Sequence, residues 1–283
     1  MSPPATERGV GLHRWGPVGG VPVLALHGLP TGGQLYRRIG PLLAAQGVSL
    51  LAPDLPGYGA SVDLGAGPLT VDAHLDWLAR VLSSAGFDPQ QPHLVVGHDY
   101  GGLLAWCWSF RAAVSGVVVT SAVPDLRWTF AMLTALPLLE RFFYRRHAGR
   151  LYLHHGVAPL GRDALGSLFV EQTRGGAMAD RMRRTALGMD PGDLARLPGR
   201  LRASGLPMRL VWGADDPFFS PRTARAVARR HGPAATVRVL AGARHYAQWD
   251  RPAAYAQSVL DFLADLQMVP KARSPASPSP GKM

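Results

Sequence analysis

The run Gly97-His98-Asp99-Tyr100-Gly101-Gly102 follows the apolar stretch His93-Leu94-Val95-Val96 and reads as a tight strand-to-helix elbow with an aspartate at its tip. Such elbows usually carry serine, and the replacement changes the chemistry. A serine hydroxyl needs a base before it can attack, whereas a carboxylate with an ordinary pKa of about 3.9 is already ionised at neutral pH. Attack by a carboxylate on a carbonyl gives a reactive anhydride. Attack on a saturated carbon bearing a leaving group gives an ordinary ester that water can cleave. Asp99 therefore points to substrates with an electrophilic saturated carbon, such as epoxides or alkyl halides.

Two further side chains complete a nucleophile set. Asp216, in Trp212-Gly213-Ala214-Asp215-Asp216-Pro217, and His245, in Gly242-Ala243-Arg244-His245, each follow an apolar run that reads as a strand. A parallel sheet would bring both to the edge that carries Asp99. In this arrangement Asp99 becomes alkylated and His245 deprotonates the water that cleaves the ester. Asp216 holds the imidazole tautomer and stabilises the imidazolium. Asp215 and Asp125 stay open as alternative acids. His27 and His98 read as structural hydrogen-bonding groups. The adjacent His154 and His155 lack the Asp, Glu or Cys neighbours of a metal site, and no cofactor is expected. Cys107, between Trp106 and Trp108, reads as a buried, inert thiol.

The elements that must position these groups are short apolar runs: 21–26, 48–52, 94–96, 116–119, 208–212 and 237–240. Such runs alternating with amphipathic stretches mark buried parallel strands with helices on both faces. Val71, Leu75, Leu78 and Leu82 recur at helical spacing before Gly86, a candidate left-handed terminator. A last helix is predicted with Asp250 as its N-cap, Pro252 in its first turn and an apolar stripe of Tyr255, Val259, Phe262, Leu263 and Leu266. Right-handed crossovers put the loops after the strands along one edge, where ligands bind. The alternation divides the chain into a core of residues 1–124 and 206–268, an inserted helical lid over 125–205 and a disordered tail over 269–283.

Composition narrows the partners. The net charge of +11 comes from 30 Lys+Arg against 19 Asp+Glu, and only Lys271 and Lys282 are lysines. The arginines are scattered and not interleaved with aromatic residues, which argues against nucleic acid as a partner. One cysteine excludes an internal disulfide, and the first eight residues lack the apolar core of a signal peptide, so a cytoplasmic protein is expected. No stretch approaches the roughly 20 apolar residues of a membrane span. The expected partner is a small, apolar, electrophilic substrate.

In these motifs the chain resembles the α/β-hydrolase superfamily, in its epoxide hydrolase and haloalkane dehalogenase branch, over residues 10–267. His27-Gly28-Leu29-Pro30 resembles that family's oxyanion loop, and Asp54-Leu55-Pro56-Gly57-Tyr58-Gly59-Ala60-Ser61 its next turn. The loops of Asp216 and His245 resemble those of its acid and base, in its usual order of nucleophile, acid and histidine. The resemblance implies a mostly parallel, eight-stranded sheet flanked by helices with an inserted helical lid. It also implies an oxyanion hole from the backbone N–H groups of Leu29 and Tyr100. Trp128, Tyr246 and Trp249 are expected to line the substrate pocket.

Within that branch, dehalogenases hold the leaving halide with side-chain N–H donors at the positions of Leu29 and Tyr100. Leucine has none and tyrosine offers only its hydroxyl. Epoxide opening instead leaves an alkoxide that needs an acid, which the family draws from lid tyrosines; Tyr144 and Tyr152 are the candidates here. The resemblance thus favours an epoxide hydrolase giving a vicinal diol. A haloalkane dehalogenase, a natural-product tailoring hydrolase or lyase with Asp99 as base, and a non-catalytic receptor are the rival readings.

Overall fold

A computed structural model of the chain describes residues 9–124, 154–158 and 177–269. Seven strands form one sheet: β1 (Leu12–Trp15), β2 (Val21–Leu26), β3 (Val48–Pro53), β4 (His93–His98), β5 (Val114–Thr120), β6 (Met208–Gly213) and β7 (Ala235–Leu240). Their order is β1-β3-β2-β4-β5-β6-β7. β1 runs antiparallel to β3 and every other pair is parallel. Each predicted run lies within a strand, while β1, whose Leu-His-Arg-Trp sequence carries little apolar signal, was not anticipated. The expected count of eight is corrected to seven among the described residues. Ahead of β1, Gly9 and Gly11 flank Val10, and a glycine-flanked residue pairs as an isolated bridge and does not extend into a strand.

Side chains alternate across the sheet into two apolar layers. Leu24, Leu26, Val95, Val117 and Val119 face α2 (Val71–Ser84) and α3 (Tyr100–Trp108), meeting Leu75, Leu78, Leu82 and Trp106. Val23, Ala25, Val96 and Val118 face the other way, into a layer with Leu43, Tyr255, Val259 and Phe262. That layer is built on α1 (Gly40–Ala44) and the last helix. Burial on both faces is why these strands read as unbroken apolar runs.

Between β5 and β6 the described chain is helical, with α4 (Ala177–Leu187) and α5 (Pro191–Ser204). Leu194, Leu197 and Leu201 of α5 join the same apolar layer as α2 and α3. α6 (Pro221–His231) lies between β6 and β7, and α7 (Ala247–Asp250) and α8 (Pro252–Asp265) follow β7. Thr70 caps α2 by accepting from Ala73 N–H at 3.0 Å, and Gly86 just past its end has φ 70°. Asp250, expected to cap the last helix, does not: Arg251 holds the cap position. The Asp250 carboxylate instead accepts from Arg244 N–H at 2.8 Å and Ala158 N–H at 2.9 Å. Among the described residues no helix is long and apolar enough to cross a membrane.

Candidate active site

The elbow is built from backbone. Asp99 has φ 52° and ψ −120°, a conformation that an ordinary residue keeps only when its surroundings enforce it. Its N–H donates to the Thr120 carbonyl at 2.9 Å, and its carbonyl accepts from Gly102 N–H at 2.9 Å. Gly97 must lack a side chain, because a Cβ there would lie 2.5 Å from the Gly101 carbonyl oxygen and 2.7 Å from Gly102 Cα. Asp99 stands at the N-cap position of α3, but its side chain makes no capping bond to the helix and is left for other partners. Its Oδ1 accepts from Leu29 N–H at 3.2 Å, and the N–H of Tyr100 acts on the same carboxylate. Oδ2 lies 4.0 Å from Nε2 of His245.

His245 and Asp216 arrive from the loops after β7 and β6, where Gly213 pairs with Leu240 and sets both loops at one level of the sheet edge. His245 Nδ1 lies 3.3 Å from Asp216 Oδ2. The other oxygen of Asp216 accepts from the N–H groups of Phe218 at 2.9 Å and Phe219 at 3.1 Å. Asp216 is buried while the adjacent Asp215 is exposed, so Asp216 is the residue presented to the imidazole. Asp125, the other alternative, lies outside the described residues. Side-chain exposure falls from 27% at Asp99 to 3% at His245 and 0% at Asp216, leaving Asp99 the member open to an incoming molecule.

The electrostatics follow from burial and pairing. Burial pushes the Asp99 carboxyl above the ordinary range, against the His245 charge and the two backbone donors. Burial would also raise Asp216, but the charge and hydrogen bond of His245, with Phe219 N–H and the Ser121 hydroxyl, hold it below. For His245, burial alone would lower the pKa; the charge and hydrogen bond of Asp216, and then the charge of Asp99, raise it. The buried pair is therefore a carboxylate that favours an imidazolium, the state that forms when His245 takes a proton.

The neighbouring histidines have structural partners. His27 Nε2 accepts from Leu55 N–H at 2.8 Å and Nδ1 donates to the Gly28 carbonyl at 2.9 Å; burial lowers its pKa to about 4. His98 lies 3.1 Å, through Nε2, from the carbonyl of His245 and stacks edge-on with that ring at 4.8 Å; burial holds it well below the usual range. The Tyr100 hydroxyl turns away from Asp99 to His74 Nδ1, at 3.2 Å. His154 and His155 are exposed. Cys107 is half-buried, and burial pushes its thiol up to about 12.

Of the residues expected to wall the pocket, Tyr246 is fully buried behind the imidazole, with ring centroids 5.0 Å apart. Trp249 is not brought to the site. It is fully buried in the layer of α1 and α8, because the guanidiniums of Arg37 and Arg38, just ahead of α1, hold its ring there at 4.8 and 5.6 Å. Trp128, Tyr144 and Tyr152 lie outside the described residues. Two neighbours of the triad were not anticipated. Phe218 packs edge-on to His245 at 4.9 Å, and Ser121 donates to Asp216 Oδ2 at 2.7 Å. The signal for Ser121 was its place directly after the apolar run of β5, the same post-strand position as Asp99.

Sheet, elbow and the Asp99–His245–Asp216 arrangement define an α/β-hydrolase fold. The sequence profile described as the alpha/beta hydrolase family matches residues 23–258, and the chain belongs to that family of hydrolases. Among curated relatives it is similar to lipase LipV of Mycobacterium tuberculosis, 38% identical over 33% of each chain. It is similar to epoxide hydrolase 2 of Siraitia grosvenorii, 33% identical over 56% of this chain and 44% of that one. Haloalkane dehalogenase 2 of M. tuberculosis is 25% identical over 86% of this chain and 87% of that protein. The matches thus span a third to under half the length of the first two relatives. A crystal structure of a haloalkane dehalogenase loop variant from Bradyrhizobium elkanii superimposes with a TM-score of 0.75 at 23% identity, covering 92% of this chain and 94% of that one.

Proposed function

We propose that the protein is an epoxide hydrolase that works through an alkyl ester on Asp99. The observation that carries this reading is the division of labour within one carboxylate. Oδ1 is held by Leu29 N–H at 3.2 Å, and Oδ2 faces the His245 imidazole across 4.0 Å. In the first half-reaction Oδ2 bonds to an epoxide carbon, the ring C–O bond breaks, and the freed oxygen takes a proton. Tyr144 and Tyr152 are the candidate donors of that proton. In the second, water attacks Cγ of Asp99, its proton passes to His245 Nε2, and the negative charge grows on Oδ1. The backbone N–H groups of Leu29 and Tyr100 are then the oxyanion donors, each worth about 2.7–4 kcal/mol in comparable sites. Expulsion of the alkoxide, reprotonated by His245, gives the diol and frees Asp99.

Epoxide is preferred to halide because a leaving halide needs N–H or O–H donors beside the reacting carbon. Leu29 has no side-chain donor, and the Tyr100 hydroxyl is directed to His74. Dehalogenation remains the second reading, favoured by the near full-length similarity to haloalkane dehalogenase 2. Hydrolysis of simple esters, as the name of the lipase relative suggests, fits Asp99 less well, since a carboxylate attacking an ester would form an anhydride.

The test is His245→Gln, incubated with panels of epoxides and of haloalkanes and examined by intact-protein mass. The expected result is a stable adduct with the mass of a whole epoxide, absent when Asp99 is also changed to Asn. An adduct from haloalkanes alone would move the assignment to dehalogenase. No adduct from either panel would remove the nucleophile reading.

A further inference from the structure

Ser121 sits one residue past β5, at φ 52°, between the two loops that deliver the base and its acid. Its hydroxyl oxygen is fully enclosed and reaches two acceptors: Asp216 Oδ2 at 2.7 Å and the His245 carbonyl at 3.1 Å. One hydroxyl has one proton to give. The His245 carbonyl is also within 3.1 Å of His98 Nε2, which can serve it as a donor. The shorter, charge-assisted bond to Asp216 therefore takes the serine proton. That bond falls on Oδ2, the same oxygen that receives Nδ1–H of His245 at 3.3 Å. The two backbone donors of Phe218 and Phe219 both fall on Oδ1. Without the serine, Oδ2 would keep as its partner only the Nδ1–H of His245, the very group it has to orient, and the pair could tilt together.

We infer that Ser121 is a positioning residue for the water-activating step: its hydroxyl fixes Asp216 Oδ2 so that His245 presents Nε2 to the water that cleaves the Asp99 ester. The inference rests on the ester mechanism proposed above, and it deepens that proposal by assigning Ser121 to one half-reaction. Alkylation of Asp99 requires no proton transfer to His245, so it is independent of the serine. Ester hydrolysis requires His245 to accept a proton from water and return it to the departing alkoxide, so it depends on the imidazole being correctly aimed.

The positive φ at Ser121 supplies a clean pair of variants. Ser121→Ala removes the hydroxyl and keeps the backbone demand, whereas Ser121→Gly removes the hydroxyl and relieves it. Single-turnover experiments with the epoxide that labels His245→Gln most fully would follow adduct mass on Asp99 with time, alongside thermal melting of each variant. The expected outcome is that both variants form the adduct at the wild-type rate and clear it about 10-fold more slowly, the order of one lost hydrogen bond to a charged group. Equal slowing of both half-reactions, or slowing in Ser121→Ala that Ser121→Gly restores, would assign Ser121 a purely structural role and overturn the inference. Unchanged clearance in both variants would also overturn it. Failure of His245→Gln to form any adduct would instead overturn the ester mechanism.

Discussion

Alkylation of Asp99 would change the base that must later remove it. In the free protein the Asp99 charge is one of the influences that raise His245, together with Asp216 and the more distant Asp250; His98 and Tyr246, which also pack on the ring, are neutral neighbours. Once Asp99 is an ester its charge is gone, the imidazolium loses that support, and the His245 pKa falls. The sign favours turnover: the free enzyme tends to keep His245 protonated, and the ester tends to release it as the neutral base that water activation needs. The expected outcome is that the acid limb of ester hydrolysis, measured in single turnovers, lies at lower pH than the imidazole titration followed by NMR in the free protein. Coincident values would show that the two groups are not coupled. The place of this carboxylate was readable in the chain because it depends on residue type and a local motif, an aspartate where an elbow usually carries a hydroxyl. Ser121 was not, since a serine after a strand is ordinary until the sheet sets it beside Asp216.

The elements differ in how openly they announce themselves. β2 to β6 are visible as apolar runs because both faces of each are covered, and β7, an edge strand that exposes Thr236, Arg238 and Val239, still shows Val237, Val239 and Leu240; β1 is an antiparallel edge strand of four residues, buried at Leu12 and His13 and exposed at Arg14. The helix after Asp250 was recognised correctly and its start was not, because Asp250 gives its carboxylate to the backbone of the His245 loop and not to the helix. Such a choice between local and distant donors is settled by which N–H groups the fold leaves without partners. The elbow is the most demanding element, and Gly97→Ala tests it. The added Cβ would press on the backbone of α3, where nothing flexible can yield. Overpacking of this kind costs about 1–3 kcal/mol. A urea titration should show the corresponding fall in stability, and adduct formation on Asp99 should slow as the carboxylate leaves its backbone donors. Wild-type stability would mean that the strand and helix are less closely packed than the structure has them.

On the scale of the whole molecule, the helices between β5 and β6 are fastened to the sheet domain by an ionic clasp. Arg184 of α4 donates to both oxygens of Asp63, at 2.8 and 3.0 Å, and to the carbonyls of Gly65 and Gly67 in the stretch before α2. Leu69 N–H returns a bond to the Arg184 carbonyl at 3.1 Å. The arginine side chain is 9% exposed and that of Asp63 33%, so screening trims the pair to the upper end of surface values. A double-mutant cycle of Arg184→Met and Asp63→Asn should give a coupling energy of about 1 kcal/mol by chemical denaturation. A coupling indistinguishable from zero would mean that the carbonyls, not the carboxylate, hold the arginine.

What the linear chain determined was the set of reactive types and the period of its strands: an acid at an elbow, a histidine and a second acid after later strands, and apolar runs that must be buried on both faces. These depend on side-chain chemistry and on local geometry, which neighbours in sequence specify. Only the tertiary structure decided which of two adjacent aspartates meets the imidazole, which aromatic residues stand beside it, and that a serine completes the group. Those outcomes depend on strand register and on the direction in which each loop leaves the sheet. Tyr246 and Trp249 lie three residues apart in one buried layer, yet one ring packs on the imidazole and the other under the Arg37 guanidinium.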